Sequence, residues 1–444
     1  MRFSRVNGAL PGPRSRAVVE RERPLLAPGI QAISTLAGLA FAGGEGAVLE
    51  DLDGNRFIDF VAGIGVASIG HGHPALAAAL ASQAALLTSG SFASEARASL
   101  LERIAGEMAR AGFPSLRRTQ LYSGGAEAVE SALRLARAYT GRHEVISFWG
   151  GFHGKTGGVL GLMGSDFKSG LGPFPPGQLV APHPDPFRRG LDERACLDEL
   201  RALVRASASG GPAAILIEPM QGTAGNVIPP PGWLASVKAL AREHGALLIA
   251  DEMITGFGRT GRRFACEHFA VEPDILTFGK GVAGGYPVSG LVTTDAIVAR
   301  ADPWSRPSHS SSSYGGSPLA CAAADAVTRV IAEERLHERA ADVGEVLLAA
   351  LRPLVEKYPF VGEVRGRGLF LAVELVADRE TRAPLDRASC ERIFRACLER
   401  GLLTMSYAPR VRINPPLVIT REQALEGAAI LDDALGEFAR GARG

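Results

Sequence analysis

The sequence predicts an α/β fold, with a large domain built on a mostly parallel sheet flanked by helices and a smaller α+β C-terminal domain. Helical and strand patterns alternate between about residues 95 and 335, which is typical of parallel sheets covered by helices. Two short apolar strands, AAILIE and ALLIAD, lie on either side of the helical stretch WLASVKALAREHG. After about residue 335, long helical patterns flank short strands such as LFLAVELV. With 444 residues, the chain is longer than one hydrophobic core accommodates.

We predict three segments along the chain. Residues 1–60 are an N-terminal arm and hairpin packing with the small lobe, 61–335 the large domain and 336–444 the small domain. The first 30 or so residues are rich in Pro and Arg, and we expect a partly ordered arm there. Two alternating apolar runs around Asp53-Gly54 predict a hairpin over residues 46–60. Gly and Pro crowd residues 164–190, where an irregular functional or interface loop is expected.

Composition narrows the class of protein. Hydrophobic residues make up 46% of the chain and charged residues 21%, as in soluble globular domains. The net charge is +1 with no dense run of Lys and Arg, which argues against nucleic acid as a partner. No signal-peptide core or long apolar stretch is present, so we expect a cytoplasmic protein without membrane contact. Five scattered cysteines without a CxxC pair predict free thiols and no metal site.

Three predicted strands end in polar residues that suit one kind of chemistry. ILIEPMQG ends in Glu218, LLIADEMITG in Asp251, and DILTFGKG at Lys280. A buried carboxylate needs a cationic partner such as a protonated heterocycle, since desolvation penalises its charged form. A lysine amine that is partly desolvated is suited to Schiff-base formation. Asp251 for a pyridinium nitrogen and Lys280 for an aldehyde are the pair that pyridoxal 5'-phosphate (PLP) requires.

A phosphate group needs a separate binding turn. In QLYSGGAEAVESALRLAR a strand is followed by Ser123-Gly124-Gly125-Ala126 and then a helix with Glu127 in its first turn. Free N–H groups and the helix dipole at such a turn favour an anion. Taken alone, the turn is better explained as an ordinary helix N-cap. The combination with Asp251 and Lys280 favours the phosphate.

These motifs resemble those of the class III, or ω-amino, aminotransferases, which have the PLP fold type I (aspartate aminotransferase-like). The resemblance runs from about Gly46 to Leu417, and the stretch from DEMITGFGRTG to TFGKG is its most specific part. It implies that Lys280 forms the Schiff base with the cofactor and that Asp251 holds its ring nitrogen. The other cofactor contacts expected are Met253 and Phe152 on the two ring faces, Gly125 and Ala126 at the phosphate, and Glu218 beside Asp251.

The resemblance also implies an assembly. Ser313, in SSSSYGGSPLA, stands where the family usually has a threonine that reaches the phosphate of the neighbouring subunit. A homodimer with shared active sites is therefore expected, and a tetramer is left open.

Departures from the family pattern bear on the substrate. Members acting on γ-aminobutyrate or ornithine usually carry a glutamate that masks a carboxylate-binding arginine, and Thr223 stands at the position of that glutamate. Arg412, in PRVRINPP, matches the arginine and would stay available to a carboxylate. Lys155 replaces the arginine of FHGRT, Ile254 a glutamine, and Gly124 a serine near the phosphate.

The sequence therefore predicts a PLP-dependent aminotransferase working by a ping-pong mechanism. The donor would be a terminal primary amine, an ω-amino acid or an amino-sugar, and the acceptor a keto acid such as pyruvate or 2-oxoglutarate. The alternatives are decarboxylation, racemisation or elimination on the same fold, or a non-catalytic binding protein. Because both Lys280 and Asp251 are present, the last of these is disfavoured.

Overall fold

A computed structural model describes residues 2–441 and divides the chain into two compact units. The first unit joins residues 1–74 to residues 338–444, and the second comprises residues 75–337. The boundaries between the units lie after Pro74 and after His337, whereas the sequence predicted boundaries after residues 60 and 335.

The helices and strands are numbered in chain order. The helices are α1 (Pro13–Glu22), α2 (Ala32–Ala37), α3 (Ala62–Gly65), α4 (Pro74–Ala84), α5 (Glu95–Arg110), α6 (Gly125–Thr140), α7 (Gly157–Leu160), α8 (Glu193–Arg205), α9 (Trp233–Glu243), α10 (Asp295–Arg300), α11 (Pro318–Glu333), α12 (Leu336–Leu351), α13 (Leu354–Lys357), α14 (Arg387–Glu399) and α15 (Arg421–Gly441). Short 3₁₀ helices span Asp166–Lys168, Ala265–Phe269 and Lys280–Ala283. The strands are β1 (Phe41–Glu45), β2 (Val48–Asp51), β3 (Arg56–Asp59), β4 (Arg118–Tyr122), β5 (Val145–Phe148), β6 (Gln178–Ala181), β7 (Ala214–Ile217), β8 (Leu247–Asp251), β9 (Ile275–Phe278), β10 (Ser289–Thr293), β11 (Val361–Arg367), β12 (Phe370–Leu375), β13 (Leu402–Leu403) and β14 (Arg410–Ile413).

The second unit is built on a mixed sheet with the strand order β4-β10-β9-β8-β7-β5-β6. Neighbouring strands from β9 to β6 run parallel, whereas β10 is antiparallel to both β9 and β4. Every residue of β5, β7, β8 and β9 is buried, as expected for strands that helices cover on both faces. The predicted mostly parallel α/β sheet is confirmed.

The first unit contains two smaller sheets. In one of them β2 and β3 pair antiparallel across Asp53-Gly54, which confirms the predicted hairpin, and β13 adds to β3 in parallel. The other sheet has the order β11-β12-β14. The last quarter of the chain thus contributes the strands β11 to β14 and the helices α12 to α15, which is an α+β composition.

Two segments are more regular than the sequence indicates. Residues 13–22 of the predicted arm form helix α1, because the Asp53 carboxylate accepts the N–H groups of Arg14 and Ser15 at its start. Local sequence patterns do not predict this helix cap, because the capping residue Asp53 belongs to the hairpin. The Gly/Pro-rich segment 164–190 includes strand β6, which extends the sheet by pairing in parallel with β5. Within residues 2–441 no helix combines the length and apolar character needed to cross a membrane.

Candidate active site

The polar strand ends predicted from the sequence meet at one edge of the central sheet. Strand β4 runs in the same direction as β9, because β10 is antiparallel to each of them. The segments that follow β4, β5, β7, β8 and β9 therefore all leave the sheet at the same edge. This is where parallel α/β sheets bind ligands.

Asp251 is the last residue of β8 and is 1% exposed. One carboxylate oxygen is 2.7 Å from Nδ1 of His153, which is equally buried. The other oxygen accepts the N–H of Met253 at 3.2 Å and the hydroxyl of Thr277 at 3.3 Å. These contacts fix the direction of the carboxylate in an environment where an unpartnered charge would be costly.

Lys280 follows β9, the strand beside β8, and is partly exposed. Thr277 of β9 is paired in register with Asp251, so Lys280 lies three residues past the strand position opposite that carboxylate. Its φ of +45° is in the left-handed region, which L-residues seldom adopt and which is common at functional sites. A Cβ at Gly279 would lie 2.8 Å from Sδ of Met253, so the backbone before Lys280 approaches the Met253 side chain closely.

Glu218 follows β7 and connects two neighbouring segments of the site. Its carboxylate accepts the N–H of Phe152 at 2.8 Å and the N–H of Gly222 at 2.8 Å. Burial, as the largest cause, raises the pKa of the Glu218 carboxyl above its usual value, and the nearby Asp251 adds to this effect. Glu218 thus fixes the backbone of Phe152 from within the protein.

The predicted phosphate turn forms the start of α6. The Glu127 carboxylate accepts the N–H groups of Ser123 and Gly124 at 3.2 and 3.3 Å. The N–H groups of Gly125 and Ala126, the first two helical residues, are then those presented to an anion at this turn.

Met253 and Phe152 flank the same region. The Sδ atom of Met253 is 3.2 Å from the position that a Cβ on Gly125 would take, which places this side chain beside the phosphate turn. Phe152 is half-buried, and its ring makes an edge-to-face contact with Phe167 at a centroid distance of 5.9 Å.

The remaining predicted site residues lie in three different places. Thr223 is half-buried in the turn after β7, and Lys155 is exposed after β5 with its Nζ 4.8 Å from the ring centroid of Phe167. Ser313 lies on an exposed segment before α11. Arg412 belongs to the first unit, where it is half-buried on β14 opposite Ala372.

Three residues with contacts at the site were not among the predicted cofactor and substrate contacts, namely His153, Thr277 and Phe167. Thr277 donates to Asp251, and a hydroxyl residue within the otherwise apolar strand ILTF was the available signal. Phe167 contacts both Phe152 and Lys155. It lies in a segment without periodicity, so no sequence pattern pointed to it.

The residues at this edge fit PLP. An oriented buried carboxylate suits a protonated ring nitrogen, a lysine at the adjacent strand end suits an aldehyde, and N–H groups at a helix start suit a phosphate. Among the described residues no group of three or more His, Cys, Asp or Glu is placed to hold a metal ion.

Comparisons with known proteins agree with this chemistry. The family model for class-III aminotransferases matches residues 34–435. The 5-aminovalerate aminotransferase of Pseudomonas aeruginosa is 38% identical over 89% of this chain and 93% of its own length. An alanine/serine racemase of Pyrococcus horikoshii is 34% identical over 99% of this chain and 94% of its own. The PLP-bound crystal structure of an amine transaminase from an uncultivated Pseudomonas species has a TM-score of 0.87 and 32% identity, covering 93% of this chain and 98% of that one. The chain therefore belongs to the class-III aminotransferase family, with pyridoxal 5'-phosphate as its cofactor.

Proposed function

We propose that this aminotransferase moves the amino group of an ω-amino acid, or of another terminal primary amine such as a diamine or amino-sugar, to pyruvate or 2-oxoglutarate. The observation that carries the proposal is the placement of Lys280 and Asp251 at the ends of two adjacent strands, with His153 orienting Asp251. Relatives named for 4-aminobutyrate and 5-aminovalerate support the donor class.

The roles of the residues follow from their positions. The cofactor, when bound, supplies an aldehyde for the amino group and a ring that accepts electrons. Lys280 would hold the cofactor through Nζ. Once the donor amine has displaced it, the free Lys280 amine would take the proton from the amine-bearing carbon of the donor. Asp251 keeps a proton on the ring nitrogen, and His153 orients Asp251 through the 2.7 Å contact. Glu218 holds the backbone of Phe152, whose ring we place against one face of the cofactor.

The substrate end of the proposal rests on three substitutions. Thr223 stands where members acting on γ-aminobutyrate or ornithine usually carry the masking glutamate. We assign Arg412, at the position of the carboxylate-binding arginine, to the carboxylate of the acceptor as a charge-assisted bidentate pair. Ile254 is buried against Gly222, where its side chain adds apolar surface next to the turn that holds Thr223. Lys155 provides a positive charge for the far end of an ω-amino acid.

We further propose a homodimer whose protomers share their active sites through Ser313. Ser313 and its neighbour Tyr314 are exposed, and Tyr314 is 77% exposed despite its aromatic ring. An exposed aromatic beside a predicted cofactor contact is suited to an interface.

A donor screen with two variants tests the activity. Wild type should convert 5-aminovalerate or 4-aminobutyrate with pyruvate or 2-oxoglutarate, measured as the new amino acid formed. Lys280→Ala should lose turnover together with the visible, borohydride-reducible absorbance of the lysine-bound cofactor. Lys357→Ala, an exposed lysine paired with Asp432, is the matched control and should retain both. Full absorbance in Lys280→Ala would refute the assignment.

Arg412→Ala tests the acceptor site separately. We expect the KM for the keto acid to rise by a factor of about 10 to 100, the effect of losing roughly 1.5–3 kcal/mol of charged hydrogen bonding. The half-reaction with a donor that has no carboxylate should be unchanged. An untouched acceptor half-reaction would remove Arg412 from the site.

Racemisation is the second candidate, because the racemase relative spans 99% of this chain. Incubation of each alanine enantiomer without a keto acid distinguishes the two reactions. Formation of the opposite enantiomer at a rate equal to or above that of amino transfer would favour the racemase.

A further inference from the structure

The Gly/Pro-rich segment 164–190 carries an aromatic residue with no role in the mechanism described so far. Phe167 lies in the short 3₁₀ helix Asp166–Lys168 and is 50% exposed. Single exposed apolar side chains are common on protein surfaces, so the contacts of this ring, and not its exposure, bear on its function.

The Phe167 ring contacts two candidate site residues at once. It meets the ring of Phe152 edge-to-face, at 5.9 Å and an interplanar angle of 83°. The ammonium of Lys155 lies over the same ring, 4.8 Å from its centroid. Both distances are within the ranges at which aromatic pairs and cation–π pairs attract each other.

The segment that carries Phe167 is fastened to the turn before Phe152. Gly150 donates its N–H to the carbonyl of Gly164 at 2.9 Å, and Gly164 donates to the carbonyl of Gly151 at 3.1 Å. Lys168 donates from Nζ to the carbonyl of Gly161 at 3.1 Å. Hydrogen bonds therefore hold the chain on both sides of Phe167, at Gly164 before it and through the Lys168 side chain after it.

We propose that Phe167 is a positioning residue that acts through both of its neighbours. It holds the Phe152 ring in the orientation in which it meets the cofactor, and it holds the Lys155 ammonium ready for the carboxylate of an ω-amino acid donor. The second half rests on the function proposed above, whereas the first half depends only on cofactor binding.

Cofactor affinity tests the contact with Phe152. Phe167→Leu keeps apolar volume but loses the ring, and Phe167→Tyr keeps the ring. We expect the dissociation constant for PLP, followed by tryptophan fluorescence on titration of the full-length apoprotein, to rise about fivefold in Phe167→Leu, as loss of an aromatic pair implies. Phe167→Tyr should restore it. Leu171→Ala, in the same segment and 59% exposed, is the matched control and should leave it unchanged.

Donor selectivity tests the contact with Lys155. In Phe167→Leu the KM for 5-aminovalerate should rise about fivefold through the lost cation–π contact, with little change in kcat. The KM for pentylamine, which has no carboxylate, should stay constant. Lys155→Met should give the same pattern, and the double variant should show no further increase.

Three results would overturn the inference. They are a PLP affinity in Phe167→Leu equal to that of wild type, equal KM changes for both donors, or the same losses in Leu171→Ala. If wild type accepts neither donor, the proposed function fails, and the PLP titration alone then decides the role of Phe167.

Discussion

At the scale of single residues, His183 is an ionisable side chain held in an apolar setting. It is 1% exposed, and its ring makes edge-to-face contacts with Phe148 and Trp233. Burial, the largest cause, lowers the pKa of the His183 imidazole to about 3. The folded protein therefore keeps this ring neutral at pH values well above 3.

A dependence of stability on pH follows from this neutral ring. Between an unfolded-state pKa of about 6.5 and the folded-state value of about 3, the unfolded chain binds a proton that the folded protein does not. The free energy of unfolding should thus fall as the pH is lowered through that window, by up to about 1.4 kcal/mol per pH unit from this residue.

His183→Phe, which keeps an aromatic ring, should flatten the slope between pH 6.5 and 4.5 in urea unfolding of the holoenzyme. His143→Gln is the control, because His143 is exposed and only its backbone carbonyl is used in a hydrogen bond. Equal slopes in wild type and His183→Phe would contradict the buried neutral imidazole.

Residue identity at the strand ends could be read from the sequence, since Glu218, Asp251 and Lys280 each interrupt an apolar run with a charge. The hydrogen bond from His153 to Asp251 could not, because 98 residues separate the partners. The contact of Phe167 with Phe152 was equally hidden, since it depends on how an irregular segment returns to the sheet.

At the scale of elements, α3 is an unusual turn. Ala62, Gly63, Ile64 and Gly65 have φ angles of +49°, +61°, +67° and +77°, so four successive residues are left-handed. The Asp59 carboxylate accepts the N–H groups of Val61 and Ala62 and contacts His71. These bonds offset a conformation that costs roughly 1–2 kcal/mol for each L-residue.

Gly63→Ala should therefore lower the free energy of unfolding by about 1 kcal/mol, the cost of placing a Cβ in this region. A steric clash would not cause this loss of stability, because the nearest atom to a Cβ added at Gly63 would be 3.5 Å away. Gly157→Ala is the matched control, since it has open space and no left-handed φ. Equal unfolding midpoints for the two variants would contradict the strain.

The elements differ in how far local patterns specify them. The hairpin around Asp53-Gly54 and the alternating helices and strands from β7 to β9 were predicted correctly, since their periodicity and turn residues are local signals. Helix α1 depends on a cap from Asp53, and β6 on pairing with β5. Partners distant in the sequence decide both, which is why residues 13–22 and 178–181 were not predicted.

At the scale of the whole molecule, one surface of the second unit is unusually apolar. Helix α4, with the sequence PALAAALASQA, has no buried residue. Leu86 and Phe92 follow it with exposures of 78% and 75%. Gly90, between these two residues, packs against the backbone of Ser317. Ser317 follows Ser313 by four positions in the chain. We assign this surface to the proposed dimer interface.

Phe92→Glu should then produce monomers, because a carboxylate would have to be buried between protomers. Sedimentation should show half the wild-type mass, and turnover should fall with dissociation. Leu425→Glu is the control on α15, where a leucine with 45% exposure lies outside the proposed interface. A dimer that survives Phe92→Glu with full activity would contradict this interface.

Mixed dimers test whether the protomers share a site. Pairing a wild-type subunit with a Ser313→Ala subunit should leave one PLP site with normal affinity and weaken the other. The titration should then have two phases. A single phase with wild-type affinity would show that Ser313 does not reach a cofactor.

The placement of chemistry at one sheet edge has a consequence for how such proteins diversify. The strands β7, β8 and β9 are fully buried in the core, whereas the candidate cofactor residues Glu218, Asp251 and Lys280 lie at their ends or in the segments after them. Substitutions in those segments do not replace the buried side chains of the three strands. A 5-aminovalerate aminotransferase and an alanine/serine racemase are 38% and 34% identical to this one chain. One scaffold can thus underlie proteins that are named for different reactions.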